Sequence, residues 1–312
     1  VGAGAIGIEL AQALKHKGLD VTLVDMASQV LPNLVGMEFS QKLTEEIIKN
    51  GVHLILNSRV ERIVGSDYVK EIHLDTGEII YFESPDSCVD NNEKNIPGLV
   101  VFATGVIPEL SFINDDKLKI EKQGIVVNEF METNIKNVYA VGDCVQYKSL
   151  ITQKICQGKL ATNAVPMAIV LANNLLGKPM SYKGFINGAA TKVYNYYVGG
   201  TGLTANAAAK ESIKYVRGYS QLTTQFPIMP GKKELWVKLM VNEDTHKLIG
   251  GQVLSGEPVT ALVDLMSFAI QMNASIYDLV ELSYSAQPYQ SFFPAGNAIV
   301  MAAEQIIKQI EK

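Results

Sequence analysis

The chain alternates between helical and strand-like patterns of apolar and polar residues, and the alternation changes character near residue 189. Apolar residues at helical spacing predict helices near 6–14, 39–47, 160–176, 259–272 and 297–310. Runs rich in β-branched and aromatic residues predict strands near 21–24, 53–56, 59–64, 69–74, 79–82, 99–103, 190–194, 214–218, 235–241 and 247–253. A helix between two strands at the start is typical of a parallel sheet, whereas the last third alternates strands before it ends in helices.

These patterns predict an α/β protein of three parts. Residues 1–106 form a first domain, in which a three-stranded meander near 59–82 is inserted before the last strand near 99–103. Residues 107–186 form a middle segment, and residues 187–312 form a separate α+β domain. A length of 312 residues also favours two or three domains over one.

The opening residues carry a glycine pattern that is typical of a dinucleotide site. Gly2-x-Gly4-x-x-Gly7 leads into the first predicted helix. In such a loop the first glycine permits the tight turn, the second lets the backbone approach a pyrophosphate, and the third lets the helix pack closely on the sheet. The N–H groups at the start of the helix face the phosphate charge. The pattern predicts a Rossmann-like domain, with a purely structural glycine turn as the alternative.

An acidic residue stands where such a domain binds ribose. Asp25 follows the predicted strand near 21–24 and lies eighteen residues after Gly7. A carboxylate there accepts the ribose hydroxyls and repels a 2′-phosphate, and residues 26–28 supply no arginine to hold one. The sequence therefore predicts NADH as the preferred coenzyme over NADPH.

Composition and charge exclude several classes of function. A chain that is 47% hydrophobic and 19% charged is not mainly disordered. A net charge of −5 without a basic block gives no reason to bind nucleic acid or anionic lipid, and the longest apolar stretch is far shorter than the ~20 residues of a membrane span. Cys88, Cys144 and Cys156 match neither a CxxC pair nor a zinc pattern, so we expect no metal site and a reducing, cytoplasmic location.

The chain opens on Val1, directly before the glycine motif. The strand that normally precedes such a motif lies in the middle of a doubly wound sheet, hydrogen-bonded on both edges. We therefore expect residues before Val1 in the natural protein, of which this chain is the larger, C-terminal part.

Two later segments complete a recognisable order of motifs. Residues 103–108 read ATGVIP, and residues 138–143 read VYAVGD ahead of the helix predicted near 160–176. The order GxGxxGxE, ATGxxP and VYAVGD resembles the pyridine nucleotide-disulfide oxidoreductases, FAD proteins that pass electrons from NAD(P)H through a flavin. The resemblance runs from Gly2 to the C-terminus.

The resemblance implies two cofactor sites. The expected NADH site consists of Gly2, Gly4, Ala5, Ile6, Gly7, Glu9, Asp25, Thr104 and Gly105. The expected FAD site consists of Gly142, Asp143, Ala161 and Thr162. In the family the acid of the Gly-Asp pair accepts a hydrogen bond from a ribityl hydroxyl, and the following helix aims its positive end at the flavin. The alternatives are an ordinary turn for the Gly-Asp pair and a first-turn helix acid for Glu9.

The predicted helix near 160–176 carries two further expectations. Thr162 or Asn163 is expected to cap it, and Pro166 is expected in its first turn.

The C-terminal third resembles the family's dimerisation domain, which implies a homodimer. The helix face formed by Ile299, Ala302, Ile306 and Ile310 is expected to be core. Residues 284–289 resemble the tyrosine-proline segment of NADH oxidases, NADH peroxidases and coenzyme A disulfide or persulfide reductases, which makes Tyr284 or Tyr289 the candidate hydrogen-bond donor to a thiolate or persulfide leaving group. A tyrosine packed at a dimer interface is the alternative for each. The family's redox cysteine belongs to a segment that precedes Val1, so none of the three cysteines is expected to act.

These features predict a flavin-dependent NADH oxidoreductase. Hydride passes from NADH through FAD to a cysteine-based disulfide or persulfide, as in coenzyme A disulfide reductases, or to oxygen, as in NADH oxidases. Two alternatives remain open: a flavin-free NAD-dependent dehydrogenase, and a non-catalytic, dimerising nucleotide-binding fragment.

Overall fold

The computed structural model describes residues 1–82, 98–156, 158–292 and 296–312. Its helices are α1 (Ala5–His16), α2 (Met37–Lys49), α3 (Ala161–Leu175), α4 (Ala205–Lys210), α5 (Thr260–Gln271), α6 (Ile276–Val280) and α7 (Ala298–Ile310). Its strands are β1 (Thr22–Val24), β2 (His53–Ile55), β3 (Val60–Gly65), β4 (Val69–Leu74), β5 (Ile79–Tyr81), β6 (Ile120–Glu121), β7 (Gly124–Ile125), β8 (Tyr147–Lys148), β9 (Ile155–Cys156), β10 (Ala189–Val193), β11 (Tyr196–Gly202), β12 (Tyr215–Thr223), β13 (Glu234–Asn242) and β14 (Leu248–Ser255).

The first part is built around a short parallel pair. β1 and β2 pair in parallel, with Thr22 opposite His53. The opening residues extend this layer, because Gly2 N–H donates to Val24 at 2.8 Å. On the other side Val1 N–H donates to Val101 O, and Ala103 N–H donates to Val1 O, both at 2.7 Å.

The predicted strand near 99–103 is wrong as a regular strand. The segment runs alongside Val1, but a single residue cannot supply the repeating hydrogen bonds that define a strand. The meander is confirmed: β3, β4 and β5 form an antiparallel sheet in that order.

The last part is a five-stranded antiparallel sheet in the order β10-β11-β14-β13-β12. β11 was not predicted from the sequence, because its run Tyr-Tyr-Val-Gly-Gly-Thr-Gly is weak as a strand. The glycines have a packing role. A Cβ on Gly199 would lie 2.6 Å from Val263 of α5, and one on Gly200 would lie 2.6 Å from the Leu34 carbonyl oxygen.

Helices cover this sheet and form its core. α7 packs on β12 and β13, while α5 packs on β14 and β11. Ile299, Ala302 and Ile306 are fully buried, as expected for a core face, and Ile310 packs against them at the edge.

The start of α3 differs from the prediction. Its N-cap is Leu160, and no side chain caps it. Asn163 cannot serve as a cap because its side-chain oxygen accepts a hydrogen bond from the Tyr182 hydroxyl instead. Pro166 is the sixth residue of the helix and not part of the first turn, so the ladder lacks one N–H there.

A single hydrophobic core joins the first part to the C-terminal sheet. It contains Ile8 of α1, Phe39 and Leu43 of α2, and Val198 and Trp236 of the C-terminal sheet, all buried. The glycine loop and the C-terminal sheet are therefore held by one packed interior.

An ion pair crosses the same boundary. Lys238 of β13 lies inside with its side chain 3% exposed, and its Nζ contacts Glu38 Oε1 of α2 at 2.5 Å. Burial is the largest single influence and opposes ionisation of Glu38, but the hydrogen bond to Lys238, a backbone hydrogen bond and the charges of Lys238 and Arg217 together hold the pKa of Glu38 below its ordinary value. Because the folded pKa is the lower one, the pair stabilises the fold above the unfolded pKa, and this contribution is lost as pH falls through the lowered pKa.

We expect Glu38→Gln to reduce the free energy of unfolding by about 2 kcal/mol at pH 7, because the substitution leaves the buried Lys238 ammonium without a counter-charge. The loss is no larger because the side chain at position 38 is partly solvated. Denaturant unfolding measures the change, and Glu45→Gln, an exposed acid on the same helix, is the matched control. The double variant Glu38→Gln with Lys238→Met should be more stable than Glu38→Gln alone. Equal losses for Glu38→Gln and Glu45→Gln would contradict the interpretation.

Candidate cofactor sites

The glycine loop is shaped by two close backbone approaches. Gly2 has φ +106°, and a Cβ there would lie 2.5 Å from the Ala103 carbonyl oxygen. A Cβ on Gly7 would lie 1.8 Å from the Gly2 carbonyl oxygen. Gly2 and Gly7 thus let the loop, the start of α1 and the 101–103 segment pack together.

Gly4 differs from its neighbours because it faces open space. A Cβ at Gly4 would meet no atom within 4 Å. Gly4 is also the N-cap of α1, no side chain caps the helix, and no acid lies in its first turn. The N–H groups at this end are therefore available to an anion that approaches over Gly4.

Asp25 is held beside this loop by backbone donors. One carboxylate oxygen accepts from Ala3 N–H at 2.5 Å and the other from Ala27 N–H at 2.7 Å. Each oxygen has a second lone pair, so the group can still accept from a ligand. The adjacent Met26 is 73% exposed, which leaves the space next to the carboxylate open to solvent.

The other predicted NADH residues lie around the same loop. Thr104 N would lie 3.3 Å from a Cβ on Gly2, which places the backbone of Thr104 against the glycine turn, and Gly105 follows it at an exposed position. Ala5 and Ile6 open α1.

Glu9 lies beyond the first turn of α1, which removes the simple dipole explanation for this acid. Its carboxylate accepts a hydrogen bond from the Thr191 hydroxyl of β10. Gln12, one turn later, donates to Lys192 O at 2.9 Å. α1 is thereby fixed to the edge strand of the C-terminal sheet.

The second predicted site lies where Gly142 and Asp143 meet α3. Residues Gly142–Cys144 form one 3-10 turn, Gly142 has φ +80°, and a Cβ there would lie 3.5 Å from the Ala164 side chain. Asp143 is exposed, and so are Ala161 and Thr162 in the first turn of α3. The structure therefore brings an exposed carboxylate to an uncapped helix N-terminus.

Two residues at this second site were missed in the sequence. Lys159 Nζ donates to the carbonyl oxygens of Asp143 at 2.6 Å, Val145 at 3.0 Å and Gln123 at 3.1 Å. The Tyr147 hydroxyl donates to Asp143 Oδ1 at 3.2 Å. Both residues lie close to Asp143 in the sequence, but neither stands at a spacing that by itself indicates this role.

Comparison with protein families identifies the chain. Residues 1–168 match the pyridine nucleotide-disulphide oxidoreductase family, and residues 189–292 match its dimerisation domain. This chain belongs to that family. The resemblance and the fold class expected from the motifs are both confirmed, and the family depends on FAD and NAD(P)H.

Known relatives cover nearly the whole chain. An NADH oxidase of Methanocaldococcus jannaschii is 34% identical over 310 residues, which is 99% of this chain and 65% of the relative. A CoA-dependent NAD(P)H sulfur oxidoreductase of Pyrococcus abyssi is 30% identical over 97% of this chain and 64% of the relative. A solved NAD-dependent persulfide reductase from A. fulgidus has a TM-score of 0.88 at 26% identity and covers 99% of this chain and 54% of its own. The chain thus spans about half to two thirds of the length of these relatives.

The tyrosines expected to act in this family lie in a loop before α7. Tyr284 is 38% exposed and Tyr289 is 63% exposed. The loop contacts the strand-connecting segment of the sheet, since Phe226 N–H donates to Pro288 O at 2.8 Å. No contact in the described part of the chain brings either tyrosine to Asp143 or to the glycine loop, so their role stays a prediction.

The cysteines of this family member are distributed without a redox pair among the described residues. Cys144 is half-buried, and its Sγ contacts Val141 O at 3.3 Å. Burial raises the pKa of the Cys156 thiol to about 11, which disfavours the reactive thiolate. Cys88 lies outside the described residues.

The ranges that the structure describes contain neither a metal-binding cluster nor a membrane-spanning helix. No cluster of His, Cys, Asp and Glu side chains there could hold a metal ion. None of the helices in those ranges is both long enough and apolar enough to cross a membrane.

The space available to a Cβ atom distinguishes Gly2, which the fold requires, from Gly4, which faces the open end of α1. Gly2→Ala should lower the free energy of unfolding by about 3 kcal/mol, since it combines a positive φ with a steric clash. Gly4→Ala should change it by less than about 1 kcal/mol, because the new methyl group meets open space. Thermal and denaturant unfolding measure both, and equal destabilisation by the two variants would show that Gly4 is needed for the fold itself.

Proposed function

We propose that this chain works in a flavin-dependent NADH oxidoreductase that passes hydride from NADH, through FAD, to a cysteine-based disulfide or persulfide or to oxygen. The observation that carries the proposal is the open, uncapped N-terminus of α1 at Gly4 beside a carboxylate already fixed by backbone donors. Membership of the family supports the part of the proposal in which FAD carries the hydride.

The first site would bind NADH through its backbone. Pyrophosphate oxygens would accept from the N–H groups at the start of α1, and the space over Gly4 would let them approach. Asp25 would accept from the adenosine ribose hydroxyls and would repel a 2′-phosphate. Thr104 and Gly105 would line the loop, and Glu9, held by Thr191, would present its carboxylate on the nicotinamide side.

The second site fits the polyol chain of a flavin. Asp143 exposes an acceptor next to the free N–H groups at the start of α3. A hydroxyl of the flavin side chain could therefore donate to the Asp143 carboxylate, while negative charge on the flavin faced the helix N-terminus. When FAD is bound, it supplies the capacity to accept a hydride. The residues Gly142, Asp143, Ala161 and Thr162 would orient it.

The relatives support the choice of acceptors. They are an NADH oxidase, a CoA-dependent NAD(P)H sulfur oxidoreductase and an NAD-dependent persulfide reductase. Tyr284 or Tyr289 would donate to the leaving sulfur. The dimerisation-domain match supports a homodimer as the working unit.

The deciding experiment uses the full-length protein. We expect flavin absorbance in the purified protein, and NADH oxidation that depends on oxygen, coenzyme A disulfide or a coenzyme A persulfide added one at a time under controlled anaerobiosis. NADH oxidation without bound flavin would instead indicate a flavin-free dehydrogenase, and binding without turnover with any acceptor would indicate a nucleotide-binding fragment.

The coenzyme preference gives a sharper prediction. Asp25→Ala with Met26→Arg should raise the ratio of kcat/KM for NADPH over NADH by at least about tenfold, since it removes an acid that repels the 2′-phosphate and adds a cation at an exposed position. Steady-state kinetics with both coenzymes measure the ratio. Met26→Leu, which leaves the Asp25 carboxylate in place and adds no cation, is the control. An unchanged ratio in the double variant would show that the ribose binds elsewhere.

A further inference from the structure

Asp143 is linked to a polar cluster inside the protein. Tyr147 is 2% exposed, yet its hydroxyl reaches the surface carboxylate and donates to Oδ1 at 3.2 Å. Oδ2 of Asp143 accepts no hydrogen bond from the described residues. One oxygen is therefore occupied from inside, and the other remains for a ligand.

A second polar pair involves α3. Asn163 is 2% exposed, its side-chain oxygen accepts from the Tyr182 hydroxyl, and its amide nitrogen is buried without a partner in the described part of the chain. Asn163 lies in the same helical turn that exposes Ala161 and Thr162, but the pair makes no hydrogen bond to Asp143 among the described residues.

The Tyr147 ring is held by two neighbouring side chains. It packs against Phe185 with 5.9 Å between ring centroids, and Lys159 Nζ lies 4.8 Å from its centroid. The same Lys159 holds the main-chain carbonyl of Asp143. The phenol and the acid backbone therefore keep one relative position.

The direction of the hydrogen bond is also fixed. Burial, followed by the neighbouring charge of Asp143, raises the pKa of Tyr147 well above its ordinary value. The phenol keeps its proton at neutral pH and donates to the carboxylate. An apolar side chain could fill the same space without burying a hydroxyl and an amide, whose burial is costly unless they are bonded.

We propose that Tyr147 is a positioning residue that fixes the Asp143 carboxylate for a hydroxyl of the flavin side chain. The inference rests on the proposed flavin site. It adds a residue whose effect on flavin binding acts entirely through Asp143.

A double-mutant cycle on FAD binding tests the inference. Full-length protein is stripped of flavin, and the Kd for FAD is measured by flavin fluorescence for the wild type, Tyr147→Phe, Asp143→Asn and the double variant. The matched control is Tyr182→Phe, which removes a nearby tyrosine hydroxyl that donates to Asn163 and makes no hydrogen bond to Asp143. Because phenylalanine keeps the ring packing, all variants should retain the far-UV spectrum, and the NADH Kd serves as the internal reference.

The expected result is a loss of FAD affinity of about tenfold in Tyr147→Phe, typical of a hydrogen bond to a charged group, with less than about twofold in Tyr182→Phe. Tyr147→Phe should cause no further loss in the Asp143→Asn background. If the two losses add, or if Tyr182→Phe weakens FAD equally, Tyr147 acts only through packing and this inference is wrong while the flavin site stands. If Asp143→Asn leaves FAD affinity unchanged, the proposed flavin contact itself fails.

Discussion

Burial of Trp236 against α2 is the interaction on which the arrangement of the molecule depends. Trp236 belongs to the C-terminal sheet, but it lies in a core formed largely by residues of the first part. Lys42 Nζ lies 4.5 Å from its ring centroid, and Glu46 accepts from Asn195 at 2.6 Å. Together with Glu38, these residues recur every four positions and place one face of α2 on the C-terminal sheet. The glycine loop is therefore oriented by a domain that carries no part of it.

Elements whose signal is local were predictable from the sequence, and those that depend on distant partners were not. α1, α2 and the meander follow from periodicity and turn residues alone. β11 was not predicted because its glycines are required by close contacts with α5 and with the Leu34 carbonyl oxygen, and these partners are remote in the sequence. The capping prediction at α3 failed for the same reason, since Asn163 bonds to Tyr182 and not to its own helix.

The two candidate sites show the same division. Gly2, Gly4 and Asp25 could be singled out because the pattern expected of a dinucleotide loop sets those residue types at fixed spacing along the chain. Tyr147 and Lys159 could not be found, because in the sequence a tyrosine and a lysine that follow a Gly-Asp turn resemble ordinary surface residues. Only the packing shows that Tyr147 is buried and that Lys159 lies over its ring.

Asp25 and Asp143 are both held in position by hydrogen bonds, but the donors differ. A free carboxylate on a flexible side chain loses rotamer entropy when it binds a hydroxyl, whereas one already held loses less. Two backbone N–H groups hold Asp25, that of Ala27 in its own turn and that of Ala3 in the glycine loop, so its position is set wherever the loop forms. A side chain from the interior holds Asp143, so its position depends on the packing of Tyr147 against Phe185. The second site is therefore the more sensitive of the two to changes in the surrounding core, although Asp143 itself is exposed and Asp25 is half-buried.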